Sequence, residues 1–213
     1  MDLSGDAADL DVAHYGFEDS LFEQAVEMGE LRTSIYAVPH PLVVLGRGSK
    51  AEVELDIEAC RRDGVPVYRR RGGGCAVVLD PGNVIVAVAT RVEGIGDNLV
   101  HFARLNRWLV AGLEAAGVEG VDFDGTSDLV IDDRKVGGTC IYRARGGLLY
   151  SASLLVDPRL DLIERYLRHP PREPEYRRGR SHREFLTSLA TESRGLSTEV
   201  LVDKLRGSLG ELL

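Results

Sequence analysis

Apolar residues follow two patterns along the chain, and each pattern predicts one kind of secondary structure element. The helical spacing predicts amphipathic helices over Phe17–Leu31, Leu99–Ala116 and Ser197–Leu212. The second helix is expected to end at Gly117, and the third to begin at a serine cap with Glu199 near its third position. Shorter helices are predicted at Asp56–Asp63, Leu160–Leu167 and Glu184–Leu189.

β-branched and aromatic residues cluster between these helices in short runs that predict strands. The runs are TSIYAVPHPLVVLGRG, which two prolines divide into two strands, VPVYRRR, AVVLD, NVIVAVAT, DLVIDD, RKVGGTCIYR and GLLYSASLLVD. The turn Asp80-Pro81-Gly82-Asn83 between AVVLD and NVIVAVAT predicts a hairpin. Because the strands come in groups separated by single helices, the pattern favours an α+β fold over a doubly wound sheet.

The composition indicates the size of the domain, the cellular location and the kinds of partner to expect. The chain has 213 residues, of which 44% are hydrophobic, so it can bury the core of one ordinary domain. Residues 1–12 predict a flexible acidic leader. This N-terminus lacks the basic start and apolar middle of a signal peptide, and no apolar run approaches the ~20 residues that cross a bilayer, so we expect a cytoplasmic protein without a membrane partner. The net charge of −8 argues against a nucleic-acid partner.

The cysteines and lysines are few, which narrows the candidate chemistry. Cys60, Cys75 and Cys140 are widely and irregularly spaced, so they predict neither a disulfide framework nor a CxxC metal site. Arginine fills most basic positions, and the only lysines are Lys50, Lys135 and Lys204. Each lysine therefore raises the question of what an arginine could not do in its place.

The stretch YRRRGGGCAVVLDPGN, residues 68–83, carries the strongest chemical signal. Successive glycines let backbone amides converge on an anion, because no side chain blocks the approach. Neighbouring arginines add charge-assisted hydrogen bonds to phosphate or carboxylate. The stretch therefore predicts a cradle for an acidic ligand, although three glycines alone would fit a bulge beside a basic strand end equally well.

The same stretch resembles the signature of the superfamily of lipoate–protein ligases, lipoyl and octanoyl transferases and biotin ligases. Its ligases carry roughly RR-x-S-G-G-G-A-V-(F/Y)-H-D-x-G-N. The matching positions are Arg69, Arg70, Gly73, Gly74, Ala76, Val77, Asp80, Gly82 and Asn83. The departures are Gly72 for serine, Cys75 for the third glycine, Val78 for the aromatic residue and Leu79 for histidine.

Three later stretches resemble further elements of this superfamily in the same order. GTSDLVIDDRKVGGTCIYR matches at Asp128, Lys135 and Gly138, with Ser127 in place of asparagine and Cys140 in place of alanine. LLYSASLLVDPRLDLIERYL follows the third element, with Tyr-Ser-Ala where the family has His-His-Gly, and GRSHREFLTSL follows the fourth. Through these four elements the chain is identified as similar to lipoate–protein ligase A.

The resemblance implies a fold and an activity. The fold would be α+β of the class II aminoacyl-tRNA synthetase/biotin synthetase type, a mixed, mostly antiparallel sheet packed with helices. It would form one catalytic domain over residues 13–213, with no separate C-terminal accessory domain. The ligases of this family use ATP and Mg²⁺ to convert lipoate or octanoate to acyl-AMP. They then pass the acyl group to a lysine of a lipoyl-carrier protein.

The resemblance also implies roles for individual residues. Lys135 would be the catalytic residue that contacts the acyl carbonyl and the phosphate, and Arg70 would lie on the phosphate side. Asp80 and Asp128 would be candidates for holding magnesium, although Asp80 could equally serve only the turn. The residues implied to bind substrate and nucleotide are Arg70, Gly73, Gly74, Cys75, Ala76, Val77, Val78, Asp128, Gly137 and Gly138.

Two other functions remain open at this stage. An octanoyl or lipoyl transferase would need no ATP and would use a cysteine thioester, for which Cys75 and Cys140 are the candidates near the implied site. A non-catalytic lipoyl-binding homologue would keep the fold alone. Biotin ligation is less favoured, because that branch prefers a GRGRxGR-type loop.

The partners follow from the same resemblance and from one basic stretch. Residues 165–183 are rich in arginine and could dock an acidic lipoyl-carrier domain, or they could be a solvated surface loop. A separate accessory ligase subunit is a further candidate partner.

Overall fold

The structure is a computed structural model that describes residues 10–94, 96–193 and 195–211. Most of the predicted leader, residues 1–12, lies outside the described residues. Its last residues are described, and Val12 already opens strand β1 (Val12–His14), which pairs in parallel with β4 (Val67–Arg69).

A six-stranded antiparallel sheet forms the centre of the molecule. Its strands lie in the order β2-β6-β10-β9-β8-β7. They are β2 (Arg32–Tyr36), β6 (Asn83–Arg91), β7 (Asp122–Asp124), β8 (Asp128–Ile131), β9 (Arg134–Ala144) and β10 (Gly147–Leu155). Five of these were predicted as strands from the sequence, whereas the short β7 was not.

A second, four-stranded sheet has the order β1-β4-β3-β5, with β3 at Leu42–Leu45 and β5 at Val77–Leu79. The predicted hairpin between AVVLD and NVIVAVAT is wrong. β5 pairs with β3, whereas β6 pairs with β2 and β10 in the other sheet. The Asp80–Asn83 turn exists, with the Asn83 amide donating to the Asp80 carbonyl at 2.9 Å, but it carries the chain from one sheet to the other.

Most helices lie where the sequence pattern predicts them, within one to three residues at each end. Asp56 caps α3 by accepting from the Ala59 amide, and Gly64 ends that helix in the left-handed conformation. The predicted turn at Glu184–Leu189 is displaced, because the helix begins two residues earlier behind a Ser181 capping box. The helices are α1 (Asp19–Met28), α2 (Ala51–Glu54), α3 (Ile57–Asp63), α4 (Asn98–Ala115), α5 (Leu160–Tyr166), α6 (His182–Phe185), α7 (Leu189–Glu192) and α8 (Thr198–Glu211).

The two faces of the six-stranded sheet are covered differently. One face packs against α4 and α8 in a dry core that includes Leu109, Leu148 and Leu205. On the other face, Ile85 packs with Leu42 and other residues of the second sheet. Because strand side chains alternate between faces, the second face of β9 and β10 is left to line a space between the two sheets.

Within residues 10–94, 96–193 and 195–211, none of the helices combines the length and the apolar character required to traverse a bilayer.

Candidate active site

A cavity of about 430 Å³ lies between the two sheets. The glycine stretch forms one wall, through Gly72, Gly74 and the strand that follows. β9 also lines the cavity, through Lys135 and Cys140, together with residues of β10. The two sequence elements that were predicted to meet, the glycine loop and the lysine, therefore share one cavity.

Lys135 is held by a carboxylate on the neighbouring strand. Its Nζ lies 2.7 Å from Oδ1 of Asp128, and both side chains are largely buried. The second oxygen of Asp128, Oδ2, accepts a hydrogen bond of 2.9 Å from the hydroxyl of Tyr176. The ammonium group is therefore fixed at the cavity wall by an ion pair that a third side chain completes.

Arg70 lines the cavity, but its guanidinium donates hydrogen bonds to backbone carbonyls of the glycine loop and of β3. Its guanidinium donates to the carbonyls of Gly73 (2.7 Å), Cys75 (2.9 Å) and Val44 (3.2 Å). Gly74 adopts a positive φ of 93°, which a residue with a side chain would resist. The structure thus gives Arg70 the work of shaping the glycine loop, in addition to the phosphate contact that the resemblance implies.

A carboxylate from helix α2 fixes the other end of the glycine loop. Oε2 of Glu54, the last residue of α2, accepts from the amide of Ala76 at 2.5 Å. Glu54 is 7% exposed, so this bond is protected from water. No motif in the sequence pointed to Glu54, since its partner is a backbone amide 22 residues away.

Nearly all the predicted site residues line this one cavity. They are Lys135, Arg70, Gly74, Cys75, Ala76, Val77, Val78, Asp128, Gly137 and Gly138. Gly73 is the exception, because it contributes its carbonyl to Arg70 and does not border the cavity.

Gly137 and Gly138, which were both expected to bind the ligand, also have packing roles, and these roles differ. A side chain at Gly137 would meet the Ser153 carbonyl at 2.8 Å, so this glycine allows β9 to pack against β10. A side chain at Gly138 would lie 3.3 Å from Nζ of Lys135. Gly138 therefore leaves room for the lysine to reach across its own strand.

The prediction that Asp80 is a candidate for holding magnesium is wrong, because of where the residue lies. It is 1% exposed and does not border the cavity. Its two oxygens accept from the amides of Gly82 (2.6 Å) and Arg159 (2.8 Å), so the carboxylate holds the turn in place. The alternative stated from the sequence, turn chemistry alone, is the one the structure supports.

The carboxylates at the cavity could hold magnesium only together with a phosphate ligand. Among residues 10–94, 96–193 and 195–211, no cluster of three or more metal-ligating side chains is present. Asp124 and Asp128 face each other across β7 and β8, and both border the cavity. One or two carboxylates plus substrate phosphates is the usual way that Mg²⁺ is bound in nucleotide sites. Both oxygens of Asp128 are already engaged by Lys135 and Tyr176, so Asp124 is the member of this pair that is left for such a role.

Buried polar groups of the N-terminal part of the chain also line the cavity, among them Tyr15 and Glu18. Glu18 accepts from the Tyr36 hydroxyl at 3.2 Å, and that hydroxyl lies 3.1 Å from the one of Tyr15. Burial raises the pKa of Glu18 above its ordinary value. Arg71 also borders the cavity and pairs with Asp19 at 2.9 Å.

Both cysteines at the cavity are poorly suited to act as thiolates. Burial raises the pKa of Cys75, with Glu54 adding to the effect. Burial also raises the pKa of Cys140, against the opposing charge of Arg70. Because the thiolate is the nucleophilic form, this environment disfavours a cysteine thioester.

The basic stretch at residues 165–183 is not the open patch that the sequence suggested. Arg183 pairs with Glu164 and Arg180 with Asp133. Arg177, which the docking interpretation had placed on the surface, is 4% exposed and stacks over the ring of Phe185 at 4.8 Å.

Arg177 also carries an unsatisfied donor at the cavity. Its Nε bonds the Arg180 carbonyl at 3.0 Å, but its Nη2 is buried with no hydrogen-bond partner among the described residues. Its Nε also lies 3.5 Å from Oε2 of Glu173, so the buried guanidinium pairs with a carboxylate that borders the cavity. Sequence reasoning missed this role, as it missed Tyr176, since neither residue belongs to a recognised motif.

The chain belongs to the lipoyl protein ligase A/B catalytic domain family, whose model matches residues 13–210. A lipoate–protein ligase from Streptococcus pyogenes serotype M5 is 32% identical over 168 residues, which cover 76% of this chain and 48% of the relative. The chain thus spans about half the length of this curated relative.

Solved structures of the same kind establish the fold. A lipoate–protein ligase A bound with ATP superimposes with a TM-score of 0.77 at 21% identity, covering 92% of this chain and 78% of that one. A bi-partite lipoate–protein ligase from Thermoplasma acidophilum, studied with its E2 lipoyl domain, gives a TM-score of 0.74 at 22% identity over 91% of this chain and 79% of that one. The predicted α+β fold is therefore confirmed.

Proposed function

We propose that this chain is an ATP-dependent lipoate–protein ligase. It would join the carboxylate of lipoate, or of octanoate, to the α-phosphate of ATP and release pyrophosphate. The amine of a carrier-protein lysine would then attack the acyl carbon, and AMP would leave. The observation that carries the proposal is that Lys135 and the glycine loop line the same cavity.

The residues at the cavity suit both half-reactions. Negative charge builds up on the phosphate and on the acyl oxygen, so fixed donors aimed at that point would supply the catalysis. Lys135 has one donor engaged by Asp128 and two left for such oxygens. The glycine-loop amides would hold the nucleotide. Mg²⁺ would accompany the phosphates and neutralise part of their charge.

The partners of relatives support the second half-reaction. The Thermoplasma ligase is bi-partite and was studied with an E2 lipoyl domain. We propose that a lipoyl-carrier domain is likewise the acyl acceptor here, and that a separate accessory subunit is a candidate partner. The cytoplasm remains the proposed location.

Mass spectrometry of a lipoyl-carrier domain tests the reaction directly. Incubated with the chain, lipoate and ATP, the carrier should gain one lipoyl group. Incubated with octanoyl carrier protein and no ATP, it should gain none, because both cavity cysteines have raised pKa values. Acylation without ATP, lost on replacing Cys75 and Cys140 with alanine, would instead establish the transferase.

Lysine-to-arginine exchange tests the role of Lys135. Lys135→Arg should lower lipoate-dependent ATP–pyrophosphate exchange by about 10²–10³-fold. The change replaces a compact ammonium group, which lies 3.3 Å from the Cβ position of Gly138, with a wider planar guanidinium. Lys204→Arg is the matched control, because Lys204 bonds the Ala116 carbonyl on the opposite side of the sheet. Equal activity of the two variants would remove Lys135 from the mechanism.

A further inference from the structure

Asp128 is shared between the lysine of the site and a tyrosine from a distant part of the chain. Its Oδ1 accepts from Lys135 at 2.7 Å, and its Oδ2 accepts from the Tyr176 hydroxyl at 2.9 Å. Both oxygens are thus engaged at the cavity wall. A carboxylate that is bound at both oxygens cannot rotate about its side chain, so the direction of the Lys135 bond is fixed as well.

Tyr176 is itself firmly placed. It lies in a single 3-10 turn, Glu175–Arg177, within the long connection between α5 and α6. Its ring packs 5.1 Å from that of Phe185, and its carbonyl accepts from Arg180 at 2.9 Å. Burial raises the pKa of Tyr176, and the charge of Asp128 raises it further, so the hydroxyl remains a donor at neutral pH.

The contact joins two parts of the cavity that are far apart in sequence. Asp128 and Lys135 belong to the sheet, whereas Tyr176 belongs to the segment of residues 168–181. That segment also brings Arg172, Glu173 and Arg177 to the cavity. The position of the ammonium group and the position of this segment are therefore linked through one hydrogen bond.

We propose that Tyr176 is a positioning residue for the acyl-activating reaction. By fixing the Asp128 carboxylate, it orients the Lys135 ammonium toward the glycine loop when the 168–181 segment is seated. The inference rests on the proposed function for its chemistry. It adds a residue that lies outside every sequence element used to recognise the family.

A double-mutant cycle tests whether Tyr176 acts through Asp128. Tyr176→Phe should lower kcat for lipoate-dependent ATP–pyrophosphate exchange by about 5–20-fold, in the range of one lost hydrogen bond to a charged group, while KM for lipoate changes less than about twofold. Asp128→Ala should lower kcat further. The double variant should be no slower than Asp128→Ala alone, because the tyrosine then has no acceptor to lose.

A second tyrosine provides the control. Tyr166 is buried outside the cavity, and its hydroxyl lies near a different carboxylate, Asp63. Tyr166→Phe should keep the wild-type kcat. Wild-type kcat in Tyr176→Phe, or losses that add fully in the double variant, would overturn the inference while leaving the ligase activity in place.

A readout that needs no activity separates the inference from the proposed function. Trypsin cleavage after Arg172 and Arg178, both exposed in the 168–181 segment, reports how firmly the segment is seated. Tyr176→Phe and Asp128→Ala should accelerate this cleavage to a similar extent, and Tyr166→Phe should not. If the wild type lacks exchange activity, the proposed function fails. Unchanged cleavage in that case would overturn the Tyr176 link too, whereas equal acceleration would uphold it.

Discussion

Two departures from the family pattern compensate for each other at the level of single residues. The ligase signature has serine where this chain has Gly72, and alanine where it has Cys140. A side chain built at Gly72 would lie 2.7 Å from Sγ of Cys140, closer than two such atoms can approach. The thiol of Cys140 therefore fills the space that a serine at position 72 would need.

This exchange predicts a rescue experiment. Gly72→Ser should destabilise the protein by roughly 1–3 kcal/mol, because the added side chain overpacks the cavity wall. Combining it with Cys140→Ala should restore most of the loss, measured as the melting temperature. Gly73→Ser is the matched control and should leave the melting temperature unchanged, because no atom lies within 4 Å of a side chain built there. A Gly72→Ser variant as stable as the wild type would refute the compensation.

Glu18 predicts a pH dependence of stability. Burial raises its pKa in the folded state above its ordinary value of 4.5, so the fold favours the protonated form. The stabilisation from this group is complete below about pH 4.5 and is lost as the pH rises through the folded pKa. Glu18→Gln, which stays neutral, should thus gain melting temperature relative to wild type as the pH is raised from 4.5 to 8. A difference between the two proteins that is constant over this range would contradict the prediction.

At the scale of elements, the four-residue helix α2 fixes the glycine loop through Glu54. Glu54→Ala should cost about 1–3 kcal/mol of stability, because the amide of Ala76 loses its partner. It should also lower acyl-adenylate formation, since the loop backbone is no longer held. Glu52→Ala changes an exposed residue of the same helix and should do neither. Chemical denaturation and pyrophosphate exchange on both variants decide between a structural anchor and an incidental contact.

Local patterns predicted most elements but not how they assemble. The serine cap of α8 could be predicted because Ser197 and the backbone amide that it binds are near in sequence. The pairing of β5 could not, because the Asp80–Asn83 turn is compatible both with a hairpin and with a switch between sheets. Only the burial of β5 against β3 and of β6 between β2 and β10 decides this.

The same limit applies to the site. The glycine loop, Lys135 and Asp128 could be predicted because they occupy recognisable motifs, and the fold brings them to one cavity. The bonds from Tyr176 to Asp128 and from Glu54 to Ala76 join residues that no motif connects. The burial of Arg177 was equally unpredictable, since an arginine within an arginine-rich stretch is normally exposed to solvent.

For the molecule as a whole, the question is how an acidic chain would meet an acidic carrier domain. Most arginines of residues 165–183 are paired or buried, but Arg168, Arg172 and Arg178 are exposed. Under the proposed function, a carrier domain that docks on this segment would meet Arg178, which does not itself border the cavity, so a positive charge there would aid docking.

Charge reversal at Arg178 tests that route. Arg178→Glu should raise KM for the lipoyl-carrier domain several-fold at low salt, with a smaller effect at high salt because exposed charges are screened. Lipoate-dependent pyrophosphate exchange, which needs no carrier, should be unchanged. Arg107→Glu alters the net charge by the same amount on α4, which packs on the opposite face of the sheet, and should leave KM as it is. Equal effects of the two reversals would show that overall charge governs the encounter, and the docking site would then have to be sought elsewhere on the surface.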